Sequence, residues 1–176
     1  DVIKRNKRIL GEIVSSRTGK RKFKYRPFLP DLLANSRRRA SEGRYDDAAA
    51  RLYRALELIA QVIIEEEYGD ETDNLSPDKY SMRTRSTLKL NGKRRVALRG
   101  AYKLLACEEH DIGKVFIEDK KVMDLLTIRN YSILAHGLEP VNRDQYERFY
   151  DRVLYYARML DKDIDSKIED ATFPQV

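Results

Sequence analysis

A chain of 176 residues, 41% hydrophobic and 36% charged, with eight Gly, five Pro and no Trp, is long enough for one domain with a packed core and too apolar to be disordered. No stretch approaches the ~20 consecutive apolar residues of a membrane span, the single cysteine, Cys107, rules out an internal disulfide, and no Cys/His cluster has zinc-like spacing. The net charge of +6 is uneven: residues 1–30 carry ten Lys or Arg against Asp1 and Glu12, and Lys79 to Lys103 holds nine with no acidic residue. Such blocks repel themselves unless an anion meets them, and RNA phosphate is the obvious one; a solvated basic face is the plainer alternative.

The opening Asp1-Val2-Ile3-Lys4-Arg5 has neither an initiator Met nor a signal-peptide core and reads as mid-protein sequence, so a C-terminal piece of a longer chain is expected. Residues 1 to about 10 read as the tail of a helix. Ser15 to Pro30, with Gly19 and two prolines, reads as a basic linker in which Phe23 and Tyr25 alternate with Lys22, Lys24 and Arg26, either a short strand or a nucleic-acid contact.

Helical signals begin at Asp31, an expected N-cap, and a first helix runs to about Ser41. A long helix follows from Tyr45 to Glu67, with Ala48, Leu52, Ala55, Leu56, Ile59 and Ile63 at three-four spacing and Tyr68-Gly69 closing it. Residues 70–80 form an acidic, turn-rich loop. A third helix spans Arg94 to Ala106, and Val115-Phe116-Ile117 is a short turn plugging the core. A fourth runs from Asp119 to Ala135 and is ended by Gly137 and Pro140; the last, Arg143 to Asp161, turns Tyr146, Phe149, Val153, Tyr156 and Leu160 inward. The residues through Pro174 read as frayed. The expected fold is an all-α bundle of about five helices over 31–165, preceded by a basic linker (1–30) and followed by a tail (166–176).

Two lesser features are inert on this reading. Cys107 ends the apolar run Leu104–Ala106 and is expected as a small buried residue. His110, in Glu108-Glu109-His110-Asp111, is expected to be solvated in an acidic loop, with no second His at helical spacing to make a metal pair.

The informative segment is Ile128-Arg129-Asn130-Tyr131-Ser132-Ile133-Leu134-Ala135-His136-Gly137. On a continuous helix Arg129 and His136, seven residues apart, would project from one face roughly 10 Å apart, with Val122, Leu125 and Leu126 leading into it and Ile133 continuing it. A guanidinium in an apolar stripe needs an anionic partner, a neighbouring subunit or a wet cleft. The plain explanations are an ion pair with Glu57 for Arg129 and a helix-end cap for His136. Asn130, 100° further round, is placed to orient His136 or a substrate. Ser132 shares the Arg129 face and either bonds a phosphate or is small enough to let two helices approach.

This pattern resembles the HEPN superfamily of helical RNA-cutting domains, whose signature is Arg, four to six residues, then His, often with a polar residue directly after the Arg. Here the spacer is six residues and the polar residue is Asn130. The helix Arg44-Tyr45-Asp46-Asp47-Ala48-Ala49-Ala50-Arg51-Leu52-Tyr53-Arg54-Ala55-Leu56-Glu57 and the run Asp31-Leu32-Leu33-Ala34-Asn35-Ser36 are similar to one CRISPR-associated group, in which a CARF domain sensing cyclic oligoadenylate precedes HEPN. The resemblance covers roughly residues 28–162. It implies a cytoplasmic antiviral endoribonuclease whose motif pairs with a second copy across a homodimer two-fold, so that one composite cleft cuts single-stranded RNA.

The residue types suit that chemistry. RNA is cut when its 2′-hydroxyl attacks the adjacent phosphate and the 5′-oxygen leaves. Histidine moves protons near neutral pH, and arginine grips phosphate and stabilises its developing charge. The expected catalytic set is therefore Arg129, Asn130 and His136. Ser132, Arg94, Arg95 and Arg99 are expected to hold the RNA, and Tyr80 or Tyr102 to stack on bases. Neither metal nor cofactor is expected, and a cyclic oligoadenylate activator would belong to a sensor domain outside this chain. The alternatives are a non-catalytic helical dimerisation or RNA-binding module, and a HEPN toxin paired with a nucleotidyltransferase-like antitoxin.

Overall fold

The computed structural model describes residues 2–17, 25–90, 92, 94–132 and 137–172. Among them are nine α-helices and no strand: α1 (Val2–Arg17), α2 (Phe28–Ser41), α3 (Tyr45–Tyr68), α4 (Met82–Leu88), α5 (Leu98–Cys107), α6 (Asp111–Glu118), α7 (Lys120–Asn130), α8 (Arg143–Leu160) and α9 (Ile164–Ala171). The all-α class stands, with more and shorter helices than the five expected. No helix among the described residues is long and apolar enough to cross a membrane.

The long helix α3 is the axis. Leu52, Ala55, Leu56, Ile59, Ala60, Val62, Ile63 and Ile64 are buried around nearly its whole circumference, as a helix surrounded by neighbours requires. It packs against α2, α8, α5 and α7. Asp46 and Asp47 complement the positive end of its dipole, and Gly69 ends it in the left-handed conformation at φ +63°. One stripe stays half-exposed: Ala50, Tyr53, Arg54, Glu57 and Gln61. Across the core, α8 supplies Tyr146, Phe149, Val153, Leu154 and Tyr156. Tyr102 stacks on Phe116 with ring centres 3.6 Å apart, and its hydroxyl donates to the Leu56 carbonyl at 2.9 Å.

The structure departs from the sequence reading in seven elements. Helix α4 is additional, and α5 starts at Leu98 and not at the expected Arg94. Helix α1 continues to Arg17, into the stretch expected as linker. Helix α2 starts at Phe28, so Asp31 lies in its first turn and is not its cap. Residues 115–117 belong to α6, where Phe116 is fully buried. Helix α9 replaces the expected fraying because Ile164, Ile168 and Ala171, at i, i+4 and i+7, bury against the bundle, chiefly on α2. Helix α7 stops at Asn130. Phe23, Lys22 and Lys24 lie outside the described residues. Arg26 is engaged by the protein itself, forked onto Glu66 at 2.6 Å through two nitrogens.

Candidate active site

Helix α7 carries the Arg129 motif and is anchored at its start. Asp119, its N-cap, is buried; it accepts the Val122 N–H at 3.1 Å, the Tyr156 hydroxyl at 2.5 Å and a bond from Arg152. Burial alone would raise the Asp119 carboxyl, but the bonds from Tyr156, Arg152 and the Val122 N–H together hold it below the usual range. Val122, Leu125 and Leu126 then seat the helix in the core, as its periodicity predicts.

The other end is a turn that closes on itself. Ser132 donates its N–H to the Arg129 carbonyl at 3.1 Å, an i to i−3 bond that tightens the last turn, and the Thr127 hydroxyl bonds back to the Met123 carbonyl. Gly137 donates to the Ser132 carbonyl at 3.2 Å, and Ser132 bridges to Glu139. A Cβ on Gly137 would lie 1.8 Å from the Tyr131 carbonyl oxygen, so no other residue fits this return. The expected single helix through Ala135 is therefore corrected: the helix ends at Asn130, and Ser132 is not related to Arg129 by helical period. Ser132 is buried in this turn and not set on the helix face beside Arg129. His136 and Ile133 lie outside the described residues.

Arg129 is half-exposed at the last turn of α7. Its guanidinium lies 4.1 Å over the Tyr53 ring, and Nη1 reaches the Asn130 Oδ1 at 3.3 Å. Among the described residues it has no carboxylate partner. Glu57, the partner the sequence suggested, pairs with Arg54 at 3.4 Å. Tyr53 lies one turn before Glu57 on the same face, and only the packing of α7 on α3 selects it. Burial, then the charge of Glu57, raises the Tyr53 phenol, and the Arg129 charge opposes both. Tyr131 and Leu138, at 65% and 90% exposure, add apolar surface on either side of the Gly137–Ser132 backbone bond.

Arg94, Arg95 and Arg99 are exposed but apart from Arg129. Their segment is tied to the 70–75 loop by Leu75 N–H to the Arg94 carbonyl and Val96 N–H to the Thr72 carbonyl, both at 2.8 Å. Thr72 in turn accepts from Gln61 on α3, eight residues or ~12 Å along the axis from Tyr53. Stacking by Tyr80 or Tyr102 is ruled out, since both rings are buried. The Tyr80 hydroxyl donates to Asp70 at 2.9 Å, and Asp70 also accepts from Lys79 and from the Ser76 N–H, both at 2.6 Å. Lys79, counted in the basic block, thus serves the loop. His110 is a structural residue: Nδ1 accepts the Ile112 N–H at the start of α6, and Nε2 lies 3.2 Å from Glu67. Cys107 is half-buried at the end of α5.

The described residues bring no three His, Cys, Asp or Glu together in a metal-binding arrangement. Among the described residues, the geometry offers a guanidinium without a carboxylate partner, held by an aromatic face near the backbone bond between Gly137 and Ser132, with a histidine next in sequence to that glycine. A family model described as the Csm6 HEPN domain matches residues 17–160. Comparison with curated proteins and with solved structures gave no match.

Proposed function

Since the chain belongs to the Csm6 HEPN domain family, ribonuclease domains of CRISPR-associated type, we propose that it is a metal-independent endoribonuclease that cuts single-stranded RNA by 2′-hydroxyl attack. The observation that carries the reading is Arg129: a half-exposed guanidinium with no carboxylate partner among the described residues, positioned by Tyr53. An unneutralised arginine in a fixed pose suits a phosphate that gains charge in the transition state. His136 moves the proton, and Asn130, exposed and already bonded to Arg129, orients the arginine or the substrate. Arg94, Arg95 and Arg99 form an outlying basic edge that draws RNA in, while Ser132 shapes the turn.

One chain supplies one arginine and one histidine, so the working site is composite: two copies meet about a two-fold with their motif turns facing. The exposed Tyr131 and Leu138 and the half-exposed stripe of α3 support this pairing. The setting is antiviral defence in the cytoplasm, with a cyclic-oligoadenylate sensor as the controlling domain of a longer protein.

The test is cleavage of a labelled single-stranded RNA in excess EDTA by wild type, Arg129→Ala and His136→Ala. Cleavage by wild type alone, leaving 2′,3′-cyclic phosphate ends, is the expected result. Equal cleavage by all three would remove the motif from the chemistry. Binding without cleavage, unchanged in both variants, would make the domain an RNA-binding module.

A further inference from the structure

A cavity of about 450 Å³ opens between the end of α2 and the start of α8, lined by Arg37, Ala40, Ser41, Tyr45, Arg143, Tyr146 and Glu147. Arg37 and Arg143 are both exposed residues of its lining, and neither has a carboxylate partner within the cavity besides Glu147 at the rim, though the charge of Asp165 reaches Arg37 from α9. Arg37 lies 4.5 Å over the Tyr150 ring. Arg143 is the first residue of α8, where the positive end of the helix dipole disfavours a cation. Two cationic side chains on one lining, one of them against a dipole, outnumber the single carboxylate of that lining and favour an anion. Tyr45 is half-buried, and its ring lies 6.0 Å from that of the buried Tyr146, which gives the cavity an aromatic wall. Among the described residues, Glu147 is the carboxylate of the lining.

Helix α3 and the chain after Gly137 connect the cavity to the motif through the backbone. Tyr45 begins α3, eight residues or ~12 Å along the axis from the Tyr53 that holds Arg129. The chain leaving the Gly137 turn binds α3 through Val141 N–H to Asp46 at 3.2 Å, then caps α8 with Asn142 and delivers Arg143.

We propose that this cavity is a second RNA subsite, in which Arg37 and Arg143 hold a backbone phosphate flanking the cleavage position and Tyr45 stacks on its base. The proposal rests on the ribonuclease reading for its ligand and adds a site that fixes the strand beside the cut. Arginine paired with an aromatic face is the usual means of holding single-stranded RNA without reading its sequence.

The probe is a fluorescein-labelled 2′-O-methyl oligoribonucleotide of roughly ten nucleotides, which lacks the attacking hydroxyl, so that binding is read without cleavage. Anisotropy titrations across a salt series compare wild type with Arg37→Ala, Arg143→Ala, Glu147→Gln and a charge-matched control, Lys162→Ala, in the exposed turn after α8. Each arginine variant is expected to weaken binding about tenfold and to lower the salt slope by about 0.7. Glu147→Gln is expected to tighten binding several-fold, a gain that misfolding does not imitate. Arginine variants indistinguishable from Lys162→Ala, or a Glu147→Gln without effect, would overturn the subsite and leave the ribonuclease standing. Wild type that binds no RNA at all would overturn both.

Discussion

Replacing Asp119 by Asn separates the charge of the buried anchor from its capping role. Asn is as good an N-cap as Asp, so the bond from the Val122 N–H survives. The charge opposite Arg152 is lost, and one acceptor becomes an NH2 group facing the Arg152 and Tyr156 donors. Breaking one partner of a buried pair costs about 3–5 kcal/mol. Arg152 keeps 26% side-chain exposure and a stack 4.4 Å over Tyr155, which softens its loss, so about 2–3 kcal/mol is expected. Tyr156→Phe removes a single bond to the same carboxylate, at about 1.5–2 kcal/mol, and the double variant should lose less than the sum. The pH dependence follows from the depressed Asp119 carboxyl. Its stabilisation is fully present above the unfolded value near ~3.9 and disappears as pH falls through the lower folded value. Urea unfolding followed by circular dichroism should therefore show the Asp119→Asn deficit at pH 7 shrinking below about pH 4. A deficit under ~0.5 kcal/mol at neutral pH, or one equally large in acid, would refute the assignment of Asp119 as an ionised anchor.

Tyr53→Ala should lower kcat/KM on RNA about fivefold, the worth of roughly 1 kcal/mol of cation–π support for Arg129, while Tyr53→Phe keeps the ring and stays near wild type; equal losses in both would shift the role to the hydroxyl. Gly137→Ala places a methyl 1.8 Å from the Tyr131 oxygen, so the turn must open, and cleavage should fall about 100-fold while far-ultraviolet dichroism changes little. Normal cleavage there would show that the closed turn is dispensable. Asp165→Asn removes a forked pair with Arg158 at 2.8 and 2.9 Å, both partners half-exposed, and should leave the urea midpoint unmoved.

Where apolar periodicity was long, the fold was legible. Helices α3 and α8 match their expected spans to within a residue, because buried positions at three-four spacing repeat over four turns or more. Helices α4, α6 and α9 have only seven or eight residues, too few for a period to declare itself, and each is fixed by what it packs on. The site was half legible. Arg129 stands at the end of the expected helix, but the helix ends early through backbone bonds and a close approach at Gly137, neither of which has a periodic signature. The Tyr53 partner is 76 positions from Arg129, and composition pointed to a carboxylate where the packing supplied a ring. Basic residues misled where they are already used: Lys79 and Arg26 look free in a string of letters and are held by Asp70 and Glu66.

The return of Gly137 onto Tyr131 also bears on how this segment can change in length. In an uninterrupted helix, one added residue would swing everything beyond it by 100°. Between Ser132 and Gly137 the chain has four residues, and both ends are pinned by the same backbone bond. Extra length there has to bulge from a fixed gap. Length between these two residues is thus constrained by the bond at its ends, whereas insertion and deletion belong to open connections elsewhere on the surface.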